Sequence, residues 1–457
     1  MTEFSSLPLQ PALLQAVDVL GYARMTPIQA ASLPPMLEGR DVIAQAMTGS
    51  GKTAAFGLAL LSKLDADAIR TQALVLCPTR ELADQVSKEI RRLASAIPNI
   101  KLLTLCGGIP LGPQIASLAH APHIVVGTPG RIQDLLAKKV LKLDALKVLV
   151  LDEADRMLDM GFEEDIAAIV KQAPARRQTL QFSATWPETI RAISKSFQRD
   201  PVAVTIEATH SDTVIEQHFF EVESPRKIDA LVLLLATHKP ESALVFCNTR
   251  RDVDDVAGQL AQRGHAALAL HGDMEQRDRD EVLLRFANRS CSVLVATDVA
   301  ARGLDIKELP AVVSYELPTD ADAHVHRIGR TGRAGNSGLA LSLVAAREIN
   351  RVGIIESALG IKVRWGRVDL SQRVPKPAPP AMVTLAIDGG RQDKLRPGDI
   401  VGALTGEAGL RVEAIGKIDT FATRSYVAVR RDEASRALER LRAGRIKGRN
   451  FRVRRVD

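Results

Sequence analysis

Short apolar runs that end at small or polar residues recur along this chain from about Asp41 onward, and helical stretches separate them. Strands buried on both faces have such near-continuous apolar sequences, and helical segments between them are typical of a parallel sheet covered on both sides. We therefore predict an α/β fold whose ligands bind at the carboxyl ends of the strands. The runs in the first part of the chain are ALVLC (73–77), HIVVGT (123–128), KVLVLDEAD (147–155) and TLQFSAT (179–185).

The pattern lapses around Glu207–Thr213, which is polar, and then resumes. The second series of runs is ALVFCNT (243–249), VLVATD (293–298), AVVSYEL (311–317) and LALSLV (339–344). It predicts a second α/β domain, after which prolines at 375, 377, 379 and 380 indicate a stiff, extended linker. The remainder, with the strand candidates MVTLAI, IGKI, SYVAV and FRVRRV, is predicted as strand, helix, strand, strand, helix, strand.

The basic residues are unevenly distributed along the chain. Residues 381–457 contain 17 Lys and Arg against 10 Asp and Glu, so their net charge of +7 equals that of all 457 residues. The 44 basic and 44 acidic residues before them balance. A local positive excess indicates a surface that binds a polyanion, although a solubilising tail would have the same composition.

Composition also bears on the compartment. No apolar run reaches the roughly 20 residues that cross a bilayer, and the start MTEFSSLPLQ lacks the features of a signal peptide. We expect a soluble cytoplasmic protein with no membrane partner. Cys77, Cys106, Cys247 and Cys291 have no metal-type spacing, so we expect them to be reduced thiols in the core.

The segment AMTGSGKT (46–53) follows a predicted strand that ends near Ile43 and precedes a helical stretch. A glycine-rich turn before a helix lets backbone N–H groups approach phosphates at the positive end of the helix dipole. Lys52 would reach the β- and γ-phosphates, and the Thr53 hydroxyl would ligate Mg²⁺. We predict a nucleotide site, although Ala46 stands where the usual pattern has glycine. The contacts predicted in this loop are Thr48, Gly49, Ser50, Gly51, Lys52 and Thr53.

Two adjacent carboxylates, Asp152 and Glu153, end the apolar run VLVL (148–151). Asp152 can hold Mg²⁺, and Glu153 can activate the attacking water as a general base. Adjacent carboxylates at a strand end are often only surface charge. That interpretation is weaker where a phosphate loop follows another strand of the same sheet.

The segment HRIGRTGR (326–333) packs four basic side chains and two glycines into eight residues. Either it is a solvated loop, or Arg330 and Arg333 meet the γ-phosphate as arginine fingers. The second domain has no GKT loop of its own. We therefore predict a single ATP shared by the two domains.

These segments and others resemble the motifs of the DEAD-box ATP-dependent RNA helicases, in that family's order, over about residues 4–368. The resemblance implies two RecA-like domains, RNA-stimulated hydrolysis of ATP with Mg²⁺, and local unwinding of RNA duplexes. Met25 departs from the pattern, which often has proline there. The segments are GYARMTPIQ (21–29), AMTGSGKT (46–53), PTREL (78–82), GG (107–108), TPGR (128–131), DEAD (152–155), SAT (183–185), VFCNT (245–249), TDVAARGLD (297–305) and HRIGRTGR (326–333).

The resemblance also implies roles for other side chains. Gln29, helped by Thr26, would read the adenine edge, with Phe4 and Tyr22 as aromatics near the base and Asp305 on the ribose. The residues implied to couple hydrolysis to strand separation are Ser183, Thr185 and His326. The implied RNA-backbone contacts are Thr79, Arg80, Gly108, Thr128, Gly130, Arg131, Thr297 and Gly303. Because backbone contacts position RNA without reading its sequence, we predict a largely sequence-blind core.

The C-terminal segment LRAGRIKGRNFRVRRVD (441–457) has seven basic residues and one acidic residue. The predicted strand order is that of an RRM-like α+β domain, but the comparable strand, SYVAVRR (425–431), offers Tyr426 as its only aromatic. We therefore expect basic side chains to grip RNA, with non-specific phosphate binding as the alternative. They are Arg445, Lys447, Arg449, Arg452 and Arg454. The resemblance is greatest to bacterial family members directed at large-subunit ribosomal RNA, which implies 23S rRNA and pre-50S particles as partners.

The predicted organisation is a first RecA-like, ATP-binding domain (1–207), a second RecA-like domain (214–368), a Pro-rich linker (369–380) and an RRM-like RNA-binding domain (381–457). The leading hypothesis is a helicase that assists assembly of the large ribosomal subunit. An ATP-gated RNA clamp that does not unwind, and a DNA-directed helicase, are the alternatives. We expect no obligate protein partner.

Overall fold

The structure, a computed structural model, describes residues 3–46, 49–185, 194–206, 215–301, 309–332, 338–406 and 409–456. They form two sheets of seven strands and one sheet of four. The chain divides into two compact units, one built on the first sheet and the other on the second and third sheets.

The first unit is a parallel sheet with helices between its strands. Its strands are β1 (Val42–Gln45), β2 (Ala73–Leu76), β3 (Leu102–Leu105), β4 (Ile124–Gly127), β5 (Val148–Leu151), β6 (Gln178–Ser183) and β7 (Val202–Thr205). Its helices are α1 (Pro11–Val19), α2 (Pro27–Leu37), α3 (Lys52–Leu61), α4 (Arg80–Leu93), α5 (Leu111–Ser117), α6 (Pro129–Ala137), α7 (Ala154–Asp159) and α8 (Glu163–Gln172). The strand order is β3-β4-β2-β5-β6-β1-β7, with every pair parallel.

Alternate side chains of the central strands pack into two different apolar cores, one on each face of the sheet. In β2, Ala73 and Val75 pack into one apolar cluster while Leu74 and Leu76 pack into another. Successive side chains of a strand point to opposite faces of the sheet, so a run without polar residues must be covered on both sides. The same alternation holds in β5. This explains why the apolar runs predict strands correctly here.

The seven-stranded sheet of the second unit repeats this plan. Its parallel strands are β8 (Ile215–Glu221), β9 (Ala243–Phe246), β10 (Ala267–Leu270), β11 (Val293–Ala296), β12 (Ala311–Ser314), β13 (Gly338–Val344) and β14 (Trp365–Gly366). Its helices are α9 (Lys227–His238), α10 (Arg250–Gln262), α11 (Gln276–Ala287), α12 (Asp298–Ala301), α13 (Ala321–Ile328) and α14 (Ile349–Leu359). The order is β10-β11-β9-β12-β13-β8-β14. Together the two sheets confirm the predicted pair of RecA-like α/β domains.

The third sheet belongs to a small antiparallel α+β domain. Its elements are β15 (Met382–Ile387), α15 (Pro397–Thr405), β16 (Ile415–Thr420), β17 (Ser425–Arg430), α16 (Ala434–Ala443) and β18 (Val453–Val456). The strand order β16-β17-β15-β18 and the succession βαββαβ are those of the split βαβ fold. The predicted order of strands and helices is confirmed.

One face of this small sheet packs against helix α11 of the second RecA-like domain. The apolar contact is made by Leu284 from the helix and by Ala386, Tyr426 and Val456 from the sheet. The opposite face of the sheet carries the small domain's own core, so both faces are covered.

Polar contacts complete this interface. Thr384 Oγ1 accepts a hydrogen bond from Asn288 Nδ2 at 3.2 Å and exchanges one with Ser290 Oγ at 2.7 Å, all three residues being buried. At the rim, Arg454 Nη2 lies 3.6 Å from Glu281 Oε2. Arg454, a predicted RNA contact, is therefore engaged by the second RecA-like domain.

The proline-rich segment between the two domains is also held. Leu370 and Val374 pack against the apolar core of the second RecA-like domain. Backbone stiffness and these two contacts together keep the connection short and fixed.

Two further expectations concern cysteines and membranes. Cys77, Cys106, Cys247 and Cys291 are buried and free, as predicted, and burial raises the pKa of each thiol. Within the described part of the chain, no helix is long and apolar enough to span a bilayer.

Leu284→Arg should undock the small domain without unfolding either partner, because it places a charge in the apolar contact while both cores stay intact. We expect faster proteolytic cleavage within residues 369–380, measured by mass spectrometry of timed digests. Arg277→Ala, on the exposed side of the same helix, is the matched control. Equal cleavage of both variants would show that the interface does not restrain the linker.

Candidate functional site

The strand order of the first domain separates two groups of loops along one edge. The phosphate loop, the DEAD segment and the SAT segment follow the neighbouring strands β1, β5 and β6. The PTREL, GG and TPGR segments follow β2, β3 and β4, which are neighbours on the other side. Because carboxyl ends of parallel strands share one edge, the topology gathers all six segments there.

The phosphate loop depends on a glycine with a left-handed backbone. Gly51 has φ = 96° and is the residue preceding helix α3. A Cβ at this position would lie 2.5 Å from Gln29 Nε2 and 2.9 Å from Thr26 Oγ1. Lys52 is buried and its Nζ donates to the carbonyl of Ala46 at 2.7 Å. The Lys52 ammonium group therefore contacts the residue at which the phosphate loop begins.

The predicted adenine-reading residues are tied directly to this loop. Gln29 is buried; its Oε1 accepts from the Thr26 backbone N–H at 2.8 Å, and its Nε2 donates to the Gly51 carbonyl at 3.1 Å. Nearby, the ring of Phe4 stacks on Tyr22 with centroids 6.4 Å apart. Phe4 is buried in the core, and burial together with Glu89, which accepts from the hydroxyl, raises the pKa of Tyr22 to about 12.

The two catalytic carboxylates predicted at the end of β5 are both buried. Glu153 adopts a left-handed backbone, with φ = 53° and ψ = 52°, which is a strained conformation for a side chain of this size. Its Oε2 accepts from Arg156 Nη1 at 3.0 Å, and this ion pair is almost completely shielded from solvent. Removing one partner of such a pair leaves an uncompensated buried charge, which lowers the free energy of unfolding by about 3–5 kcal/mol.

The last aspartate of the DEAD segment joins it to the SAT segment. Asp155 Oδ2 accepts from the backbone N–H groups of Ala184 and Thr185, both at 3.0 Å, and from Thr185 Oγ1 at 3.2 Å. Ser183 Oγ donates to the Thr185 carbonyl at 2.6 Å. A carboxylate that accepts several donors fixes their positions, so a displacement of one segment is passed to the other.

Several unmet groups in this region fit a nucleotide with a divalent cation. The Thr26 and Ser50 hydroxyls are buried, with no hydrogen-bond partner among the described residues. Burial and the neighbouring Glu153 carboxylate raise the pKa of Asp152 to about 7. A cation beside Asp152 would reverse that shift, because it stabilises the ionised form. The donor set suits ATP with Mg²⁺.

The predicted RNA contacts of the first domain lie at the starts of two helices and in one turn. Thr79 precedes helix α4 and accepts from the Leu82 N–H at 3.3 Å, with Arg80 as the first helical residue. Thr128 precedes helix α6, whose first turn contains Gly130. Backbone N–H groups at helix starts are suited to bind phosphates.

The third segment of this RNA group is joined to the second by hydrogen bonds. Gly107 N–H donates to Thr128 Oγ1 at 3.3 Å, and Gly108 has a left-handed φ of 74°. Arg131 Nη2 donates to the Ile109 carbonyl at 3.1 Å, while its buried Nη1 has no described hydrogen-bond partner. The turn and the start of helix α6 therefore form one connected surface.

In the second domain a buried arginine that sequence reasoning passed over holds the site together. Arg327 forms two hydrogen bonds with Asp298, at 2.8 and 2.7 Å, and a third with Asn248 Oδ1 at 2.7 Å. It also donates to the Glu316 carbonyl at 2.5 Å. These partners follow β11, β9 and β12, so one guanidinium group aligns three loops. The sequence feature that could have pointed to Arg327 is its position within the segment HRIGRTGR.

The remaining predicted site residues of the second domain are close to Arg327 in sequence or space. Arg330 is buried and His326 half-buried. Thr297 Oγ1 accepts from the Ala300 N–H at 3.3 Å and so begins helix α12. Four predicted residues lie outside the described part of the chain: Thr48, Gly303, Asp305 and Arg333.

The C-terminal domain presents an exposed basic hairpin. Lys447 and Gly448 form its two-residue loop, with φ values of 53° and 76°, between Ile446 and Arg449, which exchange backbone hydrogen bonds. Positive φ at both loop positions matches a type I′ turn. Arg445, Lys447 and Arg449 are exposed, as is Arg452 just beyond. Lys447 and Arg449 are steadied by Asp399 and Asp393, at 3.7 and 3.6 Å.

Comparisons with known proteins agree with this geometry. Family models match residues 26–193 as a DEAD/DEAH box helicase, residues 226–335 as a helicase conserved C-terminal domain and residues 384–455 as a DbpA RNA binding domain. The ATP-dependent RNA helicase DbpA of Escherichia coli (strain K12) is 57% identical over 455 residues, 99% of each chain. The chain belongs to the DEAD-box family of ATP-dependent RNA helicases.

Other relatives match the helicase core. The ATP-dependent RNA helicase CshA of Listeria monocytogenes is 47% identical over 357 residues, which are 78% of this helicase and 68% of that protein. The structure of S. cerevisiae Dbp5 bound to RNA and ADP BeF3 is 30% identical with a TM-score of 0.74, covering 81% of this helicase and 96% of that chain. The structure of Mss116 bound to ssRNA and UDP-BeF is 25% identical with a TM-score of 0.73, covering 80% of this helicase and 79% of that chain.

Two residues of the first domain were missed by sequence reasoning. Asp155 and Arg156 lie within or next to the quoted DEAD segment, yet neither was assigned a role. Both are buried charged residues, which are rarely found without a partner. Their burial was the missing information, because the helix that carries them is only six residues long and has no clear apolar periodicity.

Gly51→Ala should greatly reduce nucleotide binding, because it adds backbone strain and pushes Gln29 and Thr26 from the loop. We expect ATP affinity to fall more than about tenfold, equivalent to 1.4 kcal/mol, in equilibrium titrations with a fluorescent ATP analogue. Gly161→Ala is the matched control, since Gly161 also has positive φ but nothing lies within 4 Å of an added Cβ. Equal binding by both variants would rule out crowding as the reason for glycine.

Proposed function

We propose that this helicase couples hydrolysis of ATP, with Mg²⁺, to local unwinding of RNA duplexes during assembly of the large ribosomal subunit. The observation that carries the ribosomal part is the DbpA RNA binding domain at residues 384–455, joined to a complete pair of helicase domains. Its partners would be 23S rRNA and pre-50S particles in the cytoplasm. The four predicted segments, 1–207, 214–368, 369–380 and 381–457, are proposed as its functional divisions.

The phosphate loop is proposed to hold the triphosphate. Lys52 would leave the Ala46 carbonyl for the β- and γ-phosphates, and Thr53 and Asp152 would hold the cation. When bound, Mg²⁺ would offset the negative charge that develops on the transferred phosphoryl group. Glu153 would orient the attacking water and accept its proton.

Adenine selection is proposed for the residues packed on the loop. Gln29 already spans from the Thr26 backbone to the Gly51 carbonyl. An amide in that position can form paired hydrogen bonds with a base edge. Phe4 and Tyr22 would support the base, and Asp305 would contact the ribose.

Coupling is proposed to pass through Asp155. Its contacts with Ala184 and Thr185 join the catalytic carboxylates to the segment implied in strand separation. His326 would take part from the second domain, and Arg330 and Arg333 would stabilise the transferred phosphoryl group.

RNA is proposed to bind at two kinds of surface. The core contacts (Thr79, Arg80, Gly108, Thr128, Gly130, Arg131, Thr297 and Gly303) would hold the backbone of any sequence. The basic hairpin, with Arg445, Lys447, Arg449 and Arg452, would grip a structured rRNA element. Covering of the RRM-like sheet by helix α11 supports this division, because the sheet face on which bases would stack is occupied within the chain.

Glu153→Gln should retain ATP binding and lose hydrolysis, because the amide keeps the carboxylate's shape but cannot accept the proton. We expect turnover to fall by about 10²–10⁴, measured as phosphate release with saturating RNA, while the ATP dissociation constant stays nearly unchanged. Glu164→Gln, on the exposed side of helix α8, is the control. Normal turnover in Glu153→Gln would exclude this residue as the base.

Targeting is tested by ATP hydrolysis with 23S rRNA, unrelated RNA of equal length, and DNA. We expect strong stimulation by 23S rRNA, and loss of that preference in the variant Arg445→Ala/Lys447→Ala/Arg449→Ala. The variant Arg411→Ala/Lys417→Ala/Arg436→Ala is the control, since it removes the same charge from the same domain. Equal stimulation by both RNAs would mean that the domain binds RNA without specificity, and stimulation by DNA would favour a DNA helicase.

Strand displacement on a short duplex separates a helicase from an ATP-gated clamp.

A further inference from the structure

A second basic site lies in the first domain, away from all the segments described above. A cavity of about 420 Å³ is lined by nine residues, six of them cationic and one anionic: Gly39, Arg40, Asp41, Lys63, Lys147, Arg176, Arg177, Gln178 and Arg199. The first 380 residues are neutral overall, so this concentration of positive charge is local.

The topology places this cavity opposite the ATP and RNA loops. Asp41 precedes β1, Lys147 precedes β5, Arg176 and Arg177 precede β6, and Arg199 precedes β7. The amino ends of neighbouring parallel strands share one edge, whereas the helicase motifs occupy the carboxyl ends. Four strand residues, about 13 Å of extended chain, separate the two edges.

The single carboxylate in the cavity offsets only part of the charge of the six cations. Asp41 is buried, and its two oxygens accept from the backbone N–H groups of Thr179 and Arg199, each at 2.7 Å. No described Lys or Arg side chain lies within ion-pair distance of it. Among the described residues, Arg40 is the one cation of the cavity with a carboxylate within ion-pair distance, the exposed Asp200 at 3.2 Å.

The inner cations are instead held by neutral oxygen atoms. Lys63 Nζ donates to Gln178 Oε1 at 2.5 Å. Arg177 donates to the carbonyls of Pro174 and Phe197, at 2.9 and 3.4 Å, and its buried Nε has no described partner. These contacts fix the two groups in place without balancing their charge, because the acceptors are neutral. Burial lowers the pKa of Lys63 and of Arg177, and the nearby Asp41 carboxylate opposes that shift in both.

We propose that this cavity binds backbone phosphates of RNA outside the strand held by the helicase core. Fixed like charges in a concave site repel one another, and a bound polyanion would relieve that repulsion. Lys147, Arg176 and Arg199 are exposed, whereas Arg177 is partly buried, so a chain of phosphates can pass along the exposed cations. RNA is the polyanion on which this family of enzymes acts.

The site would extend the footprint of the enzyme on long RNA. A phosphate held here belongs to nucleotides beyond the core strand, since the two edges of the sheet are separate. The contact would be independent of sequence, because it involves charge alone. It would therefore strengthen binding to large RNAs without changing specificity.

The test uses the full-length variant Lys147→Glu/Arg176→Glu/Arg199→Glu and two RNAs, a short single strand and the same strand extended by a long flank. We expect affinity for the long RNA to fall about tenfold, and the slope of log K against log salt to become shallower by about 2, from three phosphate contacts at roughly 0.7 each. Binding of the short strand and ATP hydrolysis stimulated by it should not change.

The control Lys142→Glu/Lys171→Glu/Lys195→Glu makes the same charge change at exposed lysines of the same domain that do not line the cavity. An equal loss of affinity in both variants would overturn the site, because only general charge would then matter. An unchanged slope for the long RNA in the cavity variant would overturn it as well.

Protection of Lys147 from acylation, read by mass spectrometry, distinguishes the source of phosphate. We expect the long RNA, which the helicase core also holds, to protect Lys147 at concentrations at which the short strand, inorganic tripolyphosphate and poly-glutamate of matched charge do not. Protection by tripolyphosphate or poly-glutamate without protection by the long RNA would overturn the proposal in favour of a small polyanion or an acidic protein.

Discussion

Burial of parallel strands on both faces is the constraint on which the rest of this helicase depends. Side chains of β2 and β5 enter two different cores, so neither face can carry a polar group without a partner. Chemistry is therefore confined to the strand ends, where the backbone leaves the sheet. The order β5-β6-β1 brings three of those ends together at the proposed nucleotide side, and β3-β4-β2 brings three others together at the proposed RNA side.

Charged residues at these ends are buried, and this gives the loops their fixed shape. Glu153 and Arg156 in the first domain form an ion pair that is almost completely removed from solvent. In the second domain Arg327 is fully buried, while its partner Asp298 is 25% exposed. Desolvation makes such pairs poor contributors to stability compared with apolar side chains. Their value is positional: Arg327 can align three loops because a guanidinium group has five donors in a rigid plane.

Sequence reasoning located the central strands and the segments that follow β1, β5 and β6, for a physical reason. Strands buried on both faces are unbroken apolar runs, and the phosphate loop has a spacing that the chemistry requires. Five strands, β3, β7, β8, β10 and β14, escaped prediction because they are only partly buried. Strand β8, for example, has the mixed sequence IEQHFFE. Strand β1 continues to Gln45, two residues past the expected end, since Gln45 pairs with Ser183 and Thr205 within the sheet.

The C-terminal domain illustrates a limit that no local pattern can overcome. Period-two alternation assigns Arg454 and Val456 to one face of β18, but alternation cannot say what covers that face. In the structure this face is covered by helix α11, which is more than a hundred residues away in sequence. Glu281 of that helix forms an ion pair with Arg454. A sheet face covered in this way is not open to stacked bases, which is why RNA binding is proposed for the charged hairpin instead. The same docking ties the domain that carries the hairpin to the second helicase domain. Under the proposed function, RNA gripped by the hairpin would therefore be presented to that domain in a set orientation.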